Sequence, residues 1–319
     1  MKEKVLVIGG AGFIGYHIVQ ELGKNSYEVW SSTRNPSLRN DKNTIYIHLK
    51  DMSDSELAAI LKDFDFIVFA GGVDDRTMPT EEVAKTFFYN GNVLPCVRLA
   101  TVCKDLKLQK LIILGSYFSH FNRIRPEWKM AKRHPYVRSR KLQQEETVTA
   151  SGGKPKIITL DLPYIFGSCP DKIPLWKPLI QYIRKSPIIF YTKGGTNIIS
   201  VEQVAKATLG AIKNAEHDEN WQVGGQNVTW KELISLIANA LGKKKGVVSI
   251  PNFIVRFFAL LAWAYFSLRK KESGLNPFYF VTTQCAETFL DTKTAMKELN
   301  YAPVNMQDSI NETVKACKF

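Results

Sequence analysis

Three glycines near the start of the chain have the spacing of a phosphate-binding turn. Gly9, Gly12 and Gly15 follow an apolar run over 4–8, and an amphipathic pattern over 14–22 comes directly after them. This order predicts a strand, a tight turn and a helix, in which glycines permit the turn, the approach of a pyrophosphate and close helix–strand packing. The N-terminus of such a helix offers free N–H groups and the positive end of its dipole to phosphates. The segment therefore predicts a dinucleotide-binding site.

Strand and helix patterns alternate through the first half of the chain. Strands are predicted at Val5–Ile8, Tyr27–Ser32, Thr44–His48, Phe64–Phe69, Lys110–Leu114 and Lys156–Leu160. Helices are predicted at Ile14–Leu22, Ser55–Leu61 and Val83–Leu106 and, later in the chain, at Val201–Asn214 and Trp230–Leu241. The alternation predicts an α/β protein with a Rossmann-type, doubly wound parallel sheet.

The alternation loosens after about Pro163, where prolines and aromatic residues cluster. We expect a dinucleotide-binding domain over 1–165, with its sheet completed by parts of 190–215. Residues 166–319 are expected to form mainly a smaller, interleaved substrate-binding lobe. In that lobe, Thr229 with Glu232 three residues later predicts a capping box at the start of a helix.

Composition limits the partners and the compartment. The 319 residues include 43 Lys and Arg against 30 Asp and Glu, a formal charge of +13, which favours anionic partners such as cofactor phosphates, an anionic substrate or an anionic membrane surface. Neither zinc-finger spacing nor an aromatic RNA-binding motif is present, so no nucleic-acid partner is expected. The five cysteines form no C-x-x-C pair and no metal-binding spacing, and no secretory signal precedes the first strand. We expect a cytoplasmic protein with reduced thiols and no metal site.

Further segments follow in an order that is specific as a whole. They are Asp51-Met52, Ala70-Gly71-Gly72, Asn92-Val93, Leu114-Gly115-Ser116, Pro163-Tyr-Ile-Phe-Gly167, Ile199-Ser-Val-Glu-Gln-Val-Ala205 and Asp291-Thr-Lys-Thr-Ala295. Over nearly its whole length the chain resembles the extended short-chain dehydrogenases/reductases, in the NAD(P)-dependent epimerase/dehydratase and dihydroflavonol-reductase-like group. The resemblance implies that the cofactor is bound by Gly9, Gly12, Phe13, Ile14, Gly15, Asp51, Met52, Ala70, Gly71, Gly72, Asn92 and Pro163.

The resemblance also implies a catalytic tyrosine, with a lysine four residues later that lowers its pKa. The chain reads Pro135-Tyr136-Val-Arg-Ser139-Arg140-Lys141-Leu142 where the family has Tyr-x-x-Ser-Lys-Leu. Counting from Tyr136 gives Arg140 at the lysine position, whereas counting back from Leu142 gives Lys141. On a helix, i+4 lies about 40° from i and i+5 about 140° away, so Arg140 is better placed unless a bulge brings Lys141 round. A third interpretation is that the catalytic pair has decayed and only cofactor binding remains.

A serine or threonine normally orients the substrate oxygen in this family. Ser116 lies in the corresponding segment, but the catalytic hydroxyl often falls one residue later, where this chain has Tyr117. Ser116, Ser119 or Tyr117 is therefore the candidate for this role. A basic stretch from Arg123 to Lys141 leads into the expected active site, where it either binds an anionic substrate or forms a solvated loop.

The end of the second strand bears on the choice of cofactor. No acid occurs from 29 to 40, whereas Arg34 and Arg39 do, and an arginine there suits the 2′-phosphate of NADP through its planar guanidinium. We expect NADP(H), bound by Arg34, with NAD(H) as the alternative.

An apolar helix is predicted at 253–268, followed by the basic residues 269–271. It is too short to span a bilayer and too apolar to stand in water, so three interpretations remain open. It roofs a pocket in the substrate lobe, forms a homodimer contact, or attaches the protein peripherally to a membrane.

The resemblance implies an NAD(P)-dependent oxidoreductase that transfers hydride at a secondary alcohol or ketone, with Tyr136 as acid/base. The nearest alternative is a nucleotide-sugar epimerase or dehydratase, which uses the same hydride step. The alternative from another class is a non-catalytic NADP-binding sensor or assembly subunit.

Overall fold

The structure, a computed structural model, describes residues 2–34 and 43–319. Its strands are β1 (Lys4–Ile8), β2 (Glu28–Thr33), β3 (Thr44–Tyr46), β4 (Phe66–Phe69), β5 (Lys110–Leu114), β6 (Lys156–Asp161), β7 (Tyr164–Phe166), β8 (Ile188–Thr192), β9 (Gly195–Ser200), β10 (Glu219–Gln222), β11 (Gln226–Thr229), β12 (Gly246–Ile250) and β13 (Glu287–Thr288). Its α-helices are α1 (Phe13–Gly23), α2 (Asp54–Leu61), α3 (Ala84–Phe88), α4 (Leu94–Cys103), α5 (Tyr117–Ile124), α6 (Met130–Arg133), α7 (Pro135–Ser151), α8 (Lys177–Lys185), α9 (Val201–Asn214), α10 (Trp230–Ala240), α11 (Asn252–Leu268), α12 (Pro277–Gln284), α13 (Lys293–Glu298) and α14 (Met306–Ala316).

Seven parallel strands form the central sheet, in the order β10-β6-β5-β4-β1-β2-β3. The strand order reverses between β1 and β4, which is the point where α/β sheets of this kind bind their ligands. The predicted Rossmann-type, doubly wound fold is therefore confirmed. One detail was wrong, because the seventh strand is Glu219–Gln222 and lies outside the range 190–215 that was expected to complete the sheet.

Helices cover both faces of this sheet. On one face, α1 and α9 bury apolar side chains against β1, β4, β5 and β6, and Val204, Ala207 and Ala211 of α9 belong to that core. On the other face, α2 and α4 pack against the same strands through Leu57, Leu61 and other apolar side chains. The range 190–215 therefore contributes a covering helix, since the apolar residues of α9 recur at helical spacing.

Smaller sheets carry the remaining strands. Strands β11, β9 and β13 pair in that order with β7 against β9, and β12 pairs with β8. Their core is completed by α8, α10 and α14. The predicted capping box is confirmed, since Thr229 Oγ1 accepts a hydrogen bond from Glu232 N and the Glu232 carboxylate accepts one from Thr229 N.

The helix predicted over Val83–Leu106 is interrupted by a π-helical turn at Tyr89–Val93, between α3 and α4. Pro95 lies at the start of α4 and has no N–H, so the carbonyl four residues earlier receives no ordinary helical bond. A π-turn accommodates such a break in the hydrogen-bond ladder. The turn places the side chain of Asn92 in the interior, where it is fully buried.

Helix α11 packs against α12 at the surface of the molecule. None of its residues is buried. Among the residues that the structure describes, no helix combines the length and the hydropathy that crossing a bilayer requires.

The contact between α9 and the segment after α13 leaves no room for a side chain at Gly210. A Cβ added there would lie 1.9 Å from the carbonyl oxygen of Leu299. We expect Gly210→Ala to lower the free energy of unfolding by about 2 kcal/mol or more, because this backbone contact must open. Urea denaturation measures the change. Gly23→Ala is the control, since it has open space at the end of α1 and gains helix propensity. Equal effects at the two sites would contradict this account.

Candidate functional site

The glycine turn connects β1 to α1 without side chains in the way. Gly9 has a φ of +89°, and a Cβ on Gly15 would lie 2.2 Å from the carbonyl oxygen of Gly9. Gly12 is the N-cap of α1 and forms no side-chain cap, and the first turn of α1 contains no acid. The N–H groups of that turn are therefore oriented by the fold to receive an anion.

A cavity of about 440 Å³ opens beside this turn and the carboxyl ends of β4 and β5. Phe13 and Ile14 line it on the side of the turn. Most of its other walls are apolar or aromatic, with Phe118, Tyr164, Trp176, Tyr191 and Trp230 among them. Its charged lining consists of Asp74, Asp75, Arg76, Arg140 and Lys172.

Tyr136 lies in the wall of this cavity, in the first turn of α7. It is buried, and its backbone N–H donates a 3.0 Å hydrogen bond to the carbonyl of Gly274. Burial raises the pKa of its phenol, and the nearby Arg140 guanidinium and the Ser116 side chain oppose that rise. The phenol is therefore protonated at neutral pH.

The side chains of Arg140 and Lys141 lie in different surroundings. The Arg140 guanidinium lies 5.2 Å from the centre of the Tyr136 ring and lines the cavity. Lys141 points to solvent and forms a 2.7 Å ion pair with Glu145, one turn along the same helix. Helix α7 is continuous here, with no bulge that would rotate Lys141 towards the site. Of the two candidates, only Arg140 is positioned beside Tyr136.

Arg140 is buried and held by neighbouring elements. Its Nη1 donates to the carbonyl of Leu114 at 3.2 Å and to Gln143 Oε1 at 3.0 Å. Within the described part of the chain, its buried Nε has no hydrogen-bond partner. Gly72, with a φ of +126°, leaves space for this side chain, since a Cβ there would lie 3.3 Å from Arg140 Nη2. Arg140 therefore retains hydrogen-bonding capacity for a bound molecule.

Asn92 positions the loop after β4 and does not line the cavity. Its Oδ1 accepts a hydrogen bond from Val73 N at 2.7 Å, and its Nδ2 donates to Ser139 Oγ at 3.0 Å. Its amide is thus committed to protein groups on two elements. The resemblance implied a cofactor contact for Asn92, whereas this geometry makes it a positioning residue.

Ser116 and Tyr117 lie together at the carboxyl end of β5. Ser116 caps α5 through a hydrogen bond from Phe118 N and lines the cavity next to Tyr136. Tyr117 is buried and shares a 3.0 Å hydrogen bond with Thr196, and burial raises its pKa to about 12. Ser119 is buried and does not line the cavity. Tyr117 also lines the cavity, but its hydroxyl is engaged with Thr196, so Ser116 is the best placed of the three to reach a substrate oxygen beside Tyr136.

The remaining cofactor candidates divide into two groups. Those that line the cavity are Ala70, Gly71, Gly72 and Pro163. Three candidates lie outside it. Asp51 has its Oδ2 2.8 Å from His48 Nδ1, Met52 packs against the apolar core of α2 and α4, and Arg34 is exposed directly after β2. Arg39 lies outside the described residues.

Asp75 was missed by the sequence analysis, although it follows the glycines at the end of β4. Burial raises the pKa of its carboxyl group to about 6, with the neighbouring Asp74 adding to the rise. Asp74 also holds Arg76 through hydrogen bonds of 2.8 and 3.0 Å. The negative charge of Asp75 raises the pKa of Tyr136, whereas the positive charge of Arg140 lowers it. Two adjacent acids, one residue after a glycine pair at a strand end, were the signal available in the sequence.

The basic stretch from Arg123 to Lys141 is largely engaged in the protein. Arg123 pairs with buried Asp161 at 2.8 Å, and Arg133 lies 4.6 Å from the centre of the Tyr279 ring. Of the basic residues in this stretch, Arg140 alone is among the described residues that line the cavity.

Comparison with known proteins agrees with this architecture. Residues 5–224 match the model of the NAD dependent epimerase/dehydratase family. A sterol-4-alpha-carboxylate 3-dehydrogenase (decarboxylating) from Mus musculus is 24% identical over 98% of this chain and 91% of its own. The crystal structure of UDP-N-acetylglucosamine 4-epimerase from Bacillus cereus covers 100% of both chains with a TM-score of 0.70 and 14% identity. That of UDP-glucuronic acid 4-epimerase from Bacillus cereus, in complex with NAD, covers 99% of this chain and 98% of its own with a TM-score of 0.68 and 19% identity.

These matches confirm the resemblance to extended short-chain dehydrogenases/reductases that the sequence motifs indicated. They favour a catalytic protein over the non-catalytic binding protein considered above. The chain is an enzyme with oxidoreductase or epimerase activity, and it belongs to the NAD dependent epimerase/dehydratase family.

Proposed function

We propose that the chain is an NADP(H)-dependent oxidoreductase that interconverts an apolar secondary alcohol and its ketone. The observation that carries this proposal is the pairing of Tyr136 with the buried guanidinium of Arg140, in a cavity whose outer walls are aromatic. The phenol supplies an acid/base group, and the guanidinium supplies the positive charge that the family's lysine normally provides.

The residues of the site fit a dinucleotide. The glycine turn offers the N–H groups of α1 to a pyrophosphate, and the guanidinium of Arg140 lines the cavity with its Nη atoms close to Gly72 in the loop after β4. When bound, the nicotinamide ring donates or accepts a hydride. We assign the pyrophosphate to the turn around Gly12, and the ribose on the nicotinamide side to the neighbourhood of Gly72 and Arg140.

Tyr136 moves the proton in this proposal. In ketone reduction, its phenol gives a proton to the substrate oxygen while a hydride reaches the carbonyl carbon, and the resulting phenolate lies beside Arg140. In alcohol oxidation, the phenolate takes the hydroxyl proton while the hydride leaves the carbon. Ser116 donates a hydrogen bond to the same substrate oxygen and orients it.

The walls of the cavity favour an apolar substrate. A nucleotide sugar carries a diphosphate, which proteins bind with several free cations or helix N-termini. Among the described residues, three cations line this cavity. Arg76 is held by Asp74, and Arg140 donates to Leu114 and Gln143. Lys172 is engaged in no ion pair within the described part of the chain. The broad aromatic surface around Trp176 and Trp230 suits a ring system or other large apolar body. The sterol dehydrogenases among the relatives agree with this substrate class.

Replacing the phenol tests the reaction directly. We expect Tyr136→Phe to lower the rate of NADPH-dependent reduction of apolar ketones by about 100-fold or more, because no other group donates the proton. Absorbance of NADPH measures turnover, and binding of NADPH should persist in the variant. Turnover of nucleotide sugars in preference to apolar ketones would overturn the substrate class. Unchanged turnover in the variant would overturn the assigned role of Tyr136.

The pH profile tests the charges around Tyr136. Alcohol oxidation requires the phenolate, so its rate should rise with pH towards the raised pKa of Tyr136. Arg140→Met removes a stabilising cation and should move this rise to higher pH by about one unit or more, whereas Asp75→Asn removes an opposing anion and should move it to lower pH. Lys141→Met is the matched control and should leave the profile in place. A shift with Lys141→Met and none with Arg140→Met would reverse the assignment.

The preference for NADP(H) rests on Arg34. This residue is exposed at the carboxyl end of β2, next to β1 and its glycine turn, and no ion pair engages it within the described residues. We expect NADPH to bind at least tenfold more tightly than NADH, and Arg34→Ala to remove most of this difference through weaker NADPH binding. Calorimetric titration measures both affinities. Lys24→Ala, an exposed cation at the end of α1, is the control, and equal affinities in the unmodified protein would exclude the preference.

A further inference from the structure

Helix α11 presents a broad apolar surface that the rest of the described chain leaves uncovered. Its outward residues are exposed, from Phe253 at 73% through Phe257 and Leu261 to Leu268 at 86%. The residues with partial burial include Val255, Ala259, Ala262 and Phe266, whose spacing of four, three and four places them on one face. Since α11 packs against α12, this face is the main contact, and apart from the partly buried Ile254 and Ala264 the remaining surface of the helix is exposed.

The expectation that α11 roofs the substrate pocket is wrong. None of its residues lines the cavity in the described structure, because the helix lies outside α12. Its apolar surface therefore requires a partner other than this chain's own substrate site.

The charge around α11 identifies the kind of partner. The segment from 243 to 271 contains Lys243, Lys244, Lys245, Arg256, Arg269, Lys270 and Lys271, and no Asp or Glu occurs from 233 to 271. In a symmetric dimer the same patch would face itself, which brings these cations together with no acid to pair with. An anionic lipid surface suits both the apolar surface of α11 and the positive charge around it. Its acyl chains take up the aromatic side chains, and its headgroups attract the cations.

We propose that α11 and its flanking lysines and arginines dock the protein on an anionic lipid surface as an interfacial helix. Helix α12, which carries α11, also supplies Gln284 to the wall of the cavity. Docking therefore brings the substrate site close to the lipid. This attachment goes beyond the proposed reaction and does not depend on it.

Sedimentation with vesicles tests the docking without any turnover. The full chain should bind vesicles of phosphatidylcholine with roughly one-third phosphatidylserine at least tenfold more tightly than phosphatidylcholine alone, and less tightly at high salt. Phe257→Glu with Leu261→Glu should abolish binding, because two charges would have to enter the acyl region. Lys270→Gln with Lys271→Gln should weaken it about tenfold through lost headgroup attraction.

Val83→Glu with Val304→Glu is the matched control, since both valines are exposed apolar residues outside the patch. This variant should bind as the unmodified protein does, and circular dichroism and NADPH affinity show whether each variant is folded. Equal binding to both vesicle types, or full binding by the folded Phe257 and Leu261 variant, would overturn the proposal. A dimer in size-exclusion chromatography that the same variant dissociates would assign the surface to a second copy instead.

Discussion

A buried guanidinium constrains the arrangement of the site. Arg140 has little contact with solvent, and a buried cation is stable only where its N–H groups find acceptors. The carbonyl of Leu114 at the end of β5 and the amide oxygen of Gln143 supply them. Gln143 in turn donates to the backbone carbonyl of Asn92, which joins α7 to the π-helical turn. The position of Arg140 therefore depends on three separate elements.

The same network fixes the loop that follows β4. Asn92 receives the N–H of Val73, and Gly72 adopts a φ that few other residues tolerate, so that the backbone passes close to Arg140. A side chain at Gly72 would meet both Asn92 and Arg140. The same loop carries Asp75, whose charge raises the pKa of the Tyr136 phenol. Burial, one cation and one anion thus act together on the pKa of Tyr136, and burial is the largest of the three.

Local sequence patterns predicted the features that depend on local chemistry. The glycine turn, the strands β1–β6 and the capping box at Thr229 follow from backbone geometry and hydrophobic periodicity over a few residues. Strand β10 was missed because Glu-Asn-Trp-Gln is a short polar edge strand without an apolar run. The π-turn follows from Pro95, but its consequence for Asn92 needs the packed interior. Arg140 and Lys141 are adjacent in sequence, and only the position of α7 against β5 shows which one turns inward.

The segment between α11 and α12 links the exposed helix to the backbone of Tyr136. Gly274 accepts the hydrogen bond from Tyr136 N, and a Cβ on Gly274 would lie 2.8 Å from the carbonyl oxygen of Asp75. Two residues on, Asn276 N donates to His134 at the start of α7. The short connection from Leu268 to Gly274 therefore ties α11 to Tyr136 and brings it close to the loop that carries Asp75. The connecting segment holds Tyr136 through its backbone atoms, and the close packing around Gly274 leaves no room there for a side chain.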